Sequence, residues 1–189
     1  WLPISLTDLR SAYFMGCNRG KRSVTIDFRR PEGREVFLRL VERVDVVISN
    51  FKPGTMDAWG LGYEDLAARN PRLVYAAGSA FGPVGPDAER EGADLSAQAA
   101  GGLISATGTD DGEPTTIAVT IADHISSLNL VTGVLAALMA RERTGRGQRV
   151  DVSLLGSQIW AQASEYTYYL ASGELPGRPN RGHPMIPGI

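Results

Sequence analysis

A carboxylate and an imidazole stand side by side in the stretch TIADHISSLN, residues 120–129, where a helix is predicted to begin. Asp123 falls in the first turn of that helix, and two interpretations of it are open. Aspartate is common at this position because its side-chain oxygen caps free backbone N–H groups. The same N–H groups and the helix dipole favour the ionised carboxylate that a nucleophilic aspartate needs. Helical periodicity alone favours the cap.

His124 is one residue further on, so in a helix its side chain points about 100° away from that of Asp123. It is therefore a poor direct partner, and a surface or interface position is the better prediction. His183 is distant in sequence, and neither a carboxylate–His–His pattern nor a paired cysteine spacing is present. The sequence thus predicts no metal site, and no Gly-x-Ser-x-Gly motif marks a nucleophilic serine.

A second chemically informative feature is the basic stretch NRGKRSVTIDFRRPEGR, residues 18–34. By itself this stretch is typical of a solvated charged edge. However, Arg29 and Arg30 follow a predicted strand, and ligands of open α/β sheets bind at the carboxyl ends of strands. Lys52 follows the next strand. Because arginine can bind a phosphate through two parallel hydrogen bonds, cations at two neighbouring strand ends favour a phosphate-bearing ligand.

The elements that must position these residues alternate between strands and helices. Short β-branched or apolar runs predict strands at 23–28, 44–50, 72–80 and in RVDVSL. The continuous apolar run at 44–50 is typical of a strand buried on both faces. Strands that alternate with helices favour an α/β fold with a mainly parallel sheet.

The segments between these strands have helical periodicity and are predicted to be helices. Pro31 suits the first turn of a helix, and one or two short helices are predicted to end before the Asn-Pro pair at 70–71. The stretch ADLSAQAAGGLISATG is predicted as one helix, and a long helix with a regular apolar face runs from 121 to about 143. A further helix is predicted through SQIWAQASEYTYYLAS.

Composition bounds the classes of function. The 189 residues are 43% hydrophobic and 21% charged, which allows one domain with a sizeable core. The net charge of −2 gives no reason to expect nucleic acid or an anionic membrane as a partner. No apolar run is expected to be long enough to span a bilayer. The single cysteine, Cys17, cannot pair within the chain, so a reducing, cytoplasmic location is expected.

Taken together, these stretches resemble the class III CoA-transferase family, which includes formyl-CoA and carnitine-type CoA-transferases and 2-methylacyl-CoA racemases. The motifs NRGKRS, NFKPG and ERTGRGQ carry the resemblance in combination, supported by GADLSAQAAGGLISATG and GRPNRGHPMIP. They follow the family order over almost the whole chain. The resemblance implies a Rossmann-like large domain with a mainly parallel sheet, as part of the class III CoA-transferase fold.

Members of this family are considerably longer at both ends, so the resemblance implies that the chain is an internal piece. Residues 1–172 would be a partial Rossmann-like CoA-binding large domain, and residues 173–189 would begin the linker to a small domain. The resemblance also implies acyl-CoA and carboxylic acids as substrates, with no metal. Two subunits would interlock like rings in a homodimer.

The nucleophilic aspartate of the family falls on Asp123. The resemblance implies that its carboxylate attacks an acyl-CoA thioester and becomes first a mixed anhydride and then an aspartyl-CoA thioester. CoA contacts carry over by position to the end of the first predicted strand, to the turn after the second and to a later loop. The residues concerned are Ile26, Asp27, Phe28, Arg29, Asn50, Phe51, Lys52, Arg90, Glu91, Gly92 and Ala93.

Two positions depart from the family pattern. A position that is often arginine is Ala58 here, so one phosphate contact is missing or replaced. The acid/base histidine of the racemases falls on Ala93, so a two-base racemisation would lack one base. CoA transfer is therefore the first hypothesis. An acyl-CoA racemase or isomerase, and a non-catalytic CoA-binding or dimerising fragment, are the alternatives.

Overall fold

A parallel sheet organises residues 12–178, which are the residues described by the computed structural model. Its strands are β1 (Val46–Ser49), β2 (Val74–Ser79) and β3 (Arg149–Ser153). They lie in the order β1-β2-β3, and both neighbouring pairs are parallel, with Val46 opposite Val74 and Tyr75 opposite Arg149. The predicted α/β fold with a mainly parallel sheet is confirmed.

Helices fill the connections between the strands, and two of the predicted helices are each divided. Gly102 interrupts the predicted helix of ADLSAQAAGGLISATG because its left-handed backbone, with φ of 77°, cannot continue a helix. Gln162 interrupts the last helix with φ of −112° and ψ of 30°. The helices are α1 (Ala12–Asn18), α2 (Pro31–Val41), α3 (Thr55–Ala58), α4 (Tyr63–Arg69), α5 (Asp94–Ala100), α6 (Leu103–Ala106), α7 (Ile121–Thr144), α8 (Leu154–Ala161) and α9 (Ala163–Ser172).

The strand predicted at 23–28 is wrong, because this segment pairs with no strand among the described residues. Val24 is 72% exposed, and the segment ends in a turn in which the Arg30 N–H donates to the Asp27 carbonyl at 3.2 Å. β-branched residues form a strand only where a neighbour takes up the backbone hydrogen bonds. Gly33 of α2 holds the turn close, since a Cβ there would collide with the Asp27 carbonyl oxygen.

The prediction that β1 is buried on both faces is also wrong. Val47 and Ser49 are buried, but Ile48 between them is 66% exposed. Val47 faces the main core, whereas no described element covers the opposite face at Ile48. That core is formed by Val41, Val47, Met56, Leu61, Leu66, Leu73 and Tyr75.

The long helix α7 crosses the sheet and contacts β2, β3, α5 and α8. Gly133 allows this close approach, because a Cβ there would lie 2.6 Å from a methyl carbon of Val150 in β3. The opposite face of α7 is not buried as its apolar pattern predicts. Leu128, Val131, Leu135 and Met139 on that face are between 55% and 73% exposed.

α7 also corrects the expectation that no apolar run is long enough to span a bilayer. It has 24 residues and contains an 18-residue window with a mean hydropathy of 1.4, which is sufficient by length and composition. The reason is that residues 121–140 contain one Asp, Asp123, and no Glu, Lys or Arg. Because core helices pass the same test, one such helix is weak evidence for a membrane span.

Candidate active site

Asp123 lines a cavity of about 450 Å³ at the carboxyl edge of the sheet. Each of the three described strands contributes residues at its carboxyl end or directly after it, which is where ligands of parallel sheets bind. These residues are Asn50 after β1, Gly78, Ser79 and Ala80 at the end of β2, and Val152 and Leu154 at the end of β3. The sheet therefore brings three strand ends to one carboxylate.

Three further segments close the cavity around Asp123. The first turns of α7 add Ser126, Ser127 and Leu130, α1 adds Tyr13, and the loop before α5 adds Gly92 and Ala93. Gly92 is required for this packing. A Cβ at that position would lie 2.9 Å from the Phe81 ring and 3.0 Å from the Ala80 Cβ. The loop thus lies directly against the end of β2.

The carboxylate of Asp123 is partly buried and accepts no hydrogen bond from residues 12–178. Burial raises its pKa above the ordinary value, and the nearby Asp94 carboxylate raises it further, whereas His124 acts in the opposite direction. Both larger effects disfavour the ionised form. Since no residue within 12–178 pairs with them, the oxygens of Asp123 are nevertheless open to a ligand in the cavity.

The helix-cap interpretation of Asp123 does not describe how α7 begins. Thr120 is the N-cap residue and makes no side-chain cap hydrogen bond. The capping contact comes from another helix, because the Asp123 backbone N–H donates to Oδ1 of Asp94 at 3.1 Å. Asp94 supplies the acceptor that the first turn needs, and the Asp123 side chain is left out of the cap.

His124 is exposed and lies outside the described lining of the cavity. Its Nδ1 lies 2.6 Å from the carbonyl oxygen of Thr120 and 3.2 Å from the Thr120 hydroxyl oxygen. The imidazole is thus bound to the start of its own helix. This placement agrees with the prediction that His124 is not a direct partner of Asp123.

Three of the residues predicted to contact CoA line the same cavity as Asp123, namely Asn50, Gly92 and Ala93. Phe51 and Lys52 line a smaller neighbouring cavity of about 20 Å³, and the two cavities share Gly78 and Ser79. The ammonium group of Lys52 lies 3.6 Å from a carboxylate oxygen of Glu89, whose side chain is 85% exposed. The turn after β1 therefore serves both cavities and carries a cation.

The predicted residues of the first segment lie elsewhere. Ile26 and Asp27 line a third cavity of about 400 Å³ together with Arg30. Phe28 packs its ring against those of Phe37 and Trp59, with centroids 5.1 Å and 5.7 Å away. Arg29 is exposed and pairs with Asp27 at 2.9 Å. The side chain and the backbone N–H of Arg29 donate hydrogen bonds to the Asp27 carboxylate, which holds the pKa of Asp27 below its usual value.

The remaining residues that the sequence singled out do not line the Asp123 cavity as described. Arg90 pairs with Asp87 at 3.5 Å, and its guanidinium lies 5.2 Å from the centroid of the Phe81 ring. Glu91 is exposed, and Ala58, where arginine is common in the family, is exposed at the end of α3. His183 lies outside the described residues. Within residues 12–178 no group of three or more His, Cys, Asp or Glu side chains could hold a metal.

Sequence reasoning missed the residues that organise the start of α7. Asp94 directly follows the predicted CoA loop, and Gln98 lies one turn further along α5. The Asp94 contact with Asp123 joins residues 29 positions apart, so no local spacing signals it. The position of Asp94 next to Ala93 was the one available indication.

Comparisons with known proteins agree with this architecture. The sequence model of CoA-transferase family III matches residues 3–189. Succinyl-CoA:mesaconate CoA-transferase of Haloarcula hispanica is 42% identical over 92% of the chain and 45% of its own length. Acetyl-CoA:oxalate CoA-transferase of Acetobacter aceti is 39% identical over 94% of the chain and 46% of its own length.

A solved structure gives the same result for the fold. The crystal structure of a CaiB/BaiF family protein from Brucella suis superposes with a TM-score of 0.87 and 47% sequence identity. The match covers 94% of this chain and 47% of that protein. The chain thus spans less than half the length of each of these relatives.

Proposed function

Because the chain belongs to CoA-transferase family III, we propose that the protein transfers CoA between carboxylic acids. The observation that carries this proposal is the Asp123 carboxylate, which pairs with no other described residue and lies in a cavity at three strand ends. Relatives named as CoA-transferases at about 40% identity support the same reaction class. Acyl-CoA and a free carboxylic acid are then the substrates.

In the proposed reaction Asp123 is the nucleophile and carries the CoA between two acids. Its carboxylate attacks the thioester carbonyl of the donor, expels the CoA thiolate and forms a mixed anhydride. The thiolate attacks the Asp123 carbonyl of this anhydride, which releases the donor acid as a carboxylate and leaves an aspartyl-CoA thioester. The acceptor carboxylate repeats both steps in reverse order, forms the new acyl-CoA and restores Asp123.

The cavity suits an intermediate that water would destroy. Leu130, Val152 and Leu154 give it an aliphatic wall next to Asp123. An anhydride or thioester held against such a wall is shielded from hydrolysis, and the wall also strengthens nearby electrostatic interactions. Carboxylates exchange readily here because the nucleophile and the leaving acids are chemically alike, so neither intermediate is a deep trap.

We propose that CoA reaches this cavity along the turn after β1. Asn50 lines the Asp123 cavity, in which the thioester would react, and Lys52 follows two residues later as the first cation of this turn. Arg30, in the third cavity with Ile26 and Asp27, adds a second cation. Arginine and lysine at such positions bind phosphates through charge-assisted hydrogen bonds.

The residue facing the nucleophile argues against racemisation. Ala93 lines the cavity where a racemase of this family has its acid/base histidine. Among the described lining residues Asp123 is the one carboxylate, and none is a histidine or lysine. A two-base proton transfer would lack its second base.

Two further features of the full-length protein are proposals of the same kind. The family resemblance supports an interlocked homodimer. The exposed, unpaired Cys17, which is the single cysteine of the sequence, supports a reducing, cytoplasmic location. Size-exclusion chromatography with light scattering tests the first, and fractionation of the native host cells tests the second.

The test of the proposed function is covalent capture on Asp123. The full-length protein is incubated without acceptor with succinyl-CoA, acetyl-CoA or formyl-CoA, and the peptide that contains Asp123 is weighed by mass spectrometry. We expect an acyl or CoA adduct with at least one donor, lost in Asp123→Asn and kept in Asp111→Asn, which changes an exposed aspartate away from the cavity. Full CoA-transfer activity in Asp123→Asn would overturn the proposal.

A further inference from the structure

The buried amide of Gln98 makes one hydrogen bond within α5 and one to the segment before α7. Gln98 is 1% exposed. Its Nε2 donates to Oδ2 of Asp94 at 2.7 Å, and its Oε1 accepts from the backbone N–H of Ile117 at 3.2 Å. A buried polar side chain with both ends satisfied holds its partners in a defined arrangement.

Those two hydrogen bonds connect Gln98 to the candidate nucleophile through Asp94. While Oδ2 of Asp94 accepts from Gln98, Oδ1 of the same carboxylate accepts from the Asp123 N–H at 3.1 Å. Ile117, on the other side of Gln98, lies in the segment that leads into α7. One amide therefore holds both the capping carboxylate and the chain that enters the helix.

We propose that Gln98 is a positioning residue for Asp123, an inference that rests on the proposed function. It orients the Asp94 carboxylate so that one oxygen caps the Asp123 N–H, and it fixes the backbone just before α7. Gln98 lies outside the described lining of the cavity and acts through Asp94. The result is a first turn of α7 held in place without use of the Asp123 carboxylate.

The hydrogen bonds at position 98 require glutamine rather than glutamate. The side chain must donate to a carboxylate and accept from a backbone N–H, and a neutral amide does both. Glutamate could still accept from Ile117, but its ionised carboxylate would face Asp94 with no proton to donate. Two carboxylates at hydrogen-bond distance share one proton, so the pair would regain the missing donor only when protonated.

This difference gives a pH signature that loss of packing does not produce. In the full-length protein, the rate of adduct formation on Asp123 is measured between pH 5 and pH 9 with the acyl-CoA donor that gives the wild-type adduct. Gln98→Leu should be slower on the order of tenfold at every pH, because misplaced reacting groups lose rate. Gln98→Glu should show its largest deficit at alkaline pH and recover relative to wild type as the introduced carboxyl group protonates.

Gln162→Glu is the matched control, since Gln162 is a buried glutamine between α8 and α9 whose Nε2 donates to the carbonyl oxygens of Gly101 and Gln158. It should leave the rate of adduct formation at the wild-type value at every pH, because Gln162 bonds to neither Asp94 nor Ile117. If Gln98→Glu keeps the wild-type rate at alkaline pH, or follows the pH profile of Gln162→Glu, the positioning role is wrong. A wild-type protein that forms no adduct with any donor would instead overturn the proposed function.

Discussion

The two ends of α7 are held by opposite means. At the N-terminal end, Asp94 caps the Asp123 backbone N–H, and the Asp123 carboxylate pairs with no residue within 12–178, while burial and the Asp94 charge raise its pKa. At the C-terminal end, the guanidinium of Arg141 is 8% exposed, donates to the Arg72 carbonyl at 3.1 Å and pairs with Asp45 at 2.9 Å. The charge of Asp123 remains available to a ligand. The charge of Arg141 instead binds α7 to the segments that lead into β1 and β2.

Asp123 and Arg141 therefore affect the free energy of unfolding in opposite directions. Asp123 sits where the folded protein disfavours its ionised form, so its carboxylate opposes folding above its folded pKa and ceases to do so as the pH falls. Arg141 lies at the end of the helix where the dipole favours cations, and it satisfies a backbone carbonyl. We therefore expect substitutions at the two ends to change different measured quantities.

The largest effect is expected from Asp123→Asn. Loss of the nucleophile should lower CoA-transfer activity on the order of a thousandfold or more, because covalent catalysis through this carboxylate is removed. Stability should not fall and should lose part of its pH dependence, since an amide carries no charge to disfavour. Urea titrations at pH 5 and pH 8 beside kcat measurements check both, and a marked loss of stability would contradict the comparison.

Arg141→Met should show the reverse pattern. It leaves the Arg72 carbonyl without its donor and is expected to lower the free energy of unfolding by about 2 kcal/mol, while kcat per folded molecule stays unchanged. Asp45 is 76% exposed, so water can solvate it after the substitution. Arg143→Met, in the exposed last turn of α7, is the control that should change neither quantity. If Arg141→Met lowered kcat without lowering the free energy of unfolding, the two ends of α7 would not differ in the way described.

The sequence predicts the C-terminal end of this comparison better than the N-terminal end. The predicted end near 143 rests on local residues, because the helix runs into the glycine-containing stretch TGRGQ, and α7 ends there with Gly145 in a left-handed conformation, φ 71°. The strands at 44–50 and 72–80 were also predictable, because apolar runs bounded by turn residues are typical of strands, although β1 is buried on one face only. The position of Asp123 in the first turn followed from helical spacing, as the structure has it.

What could not be predicted depends on contacts between distant residues. The 23–28 segment has the composition of a strand but no described strand to pair with. The exposed face of α7 has the pattern of a buried face, and only the packing shows which side meets the sheet. The cap on Asp123 comes from Asp94, which belongs to another helix, so Asp123 itself was the reasonable cap on local grounds.

Asp94→Asn tests whether the Asp94 charge sets the pKa of Asp123 at the N-terminal end of α7. Removal of this negative charge should lower the pKa of Asp123, so the acidic limb of adduct formation should move to lower pH. The plateau rate should fall at the same time, because an asparagine that still accepts from the Asp123 N–H turns its own N–H₂ group toward the Gln98 donor. An acidic limb that moves upward would show that Asp94 does not act on Asp123 through its charge.

The smallest effect is expected from His124→Gln, and its direction is opposite. While His124 is protonated it lowers the pKa of Asp123, so its replacement should move the acidic limb slightly upward. The plateau rate should change less than about twofold, because the imidazole is exposed and bound to Thr120 rather than to a ligand in the cavity. The same pH series used for Asp94→Asn measures this shift. A large loss of plateau rate would make His124 a catalytic group, and the N-terminal end of α7 would then hold two reacting side chains rather than one carboxylate tuned by its neighbours.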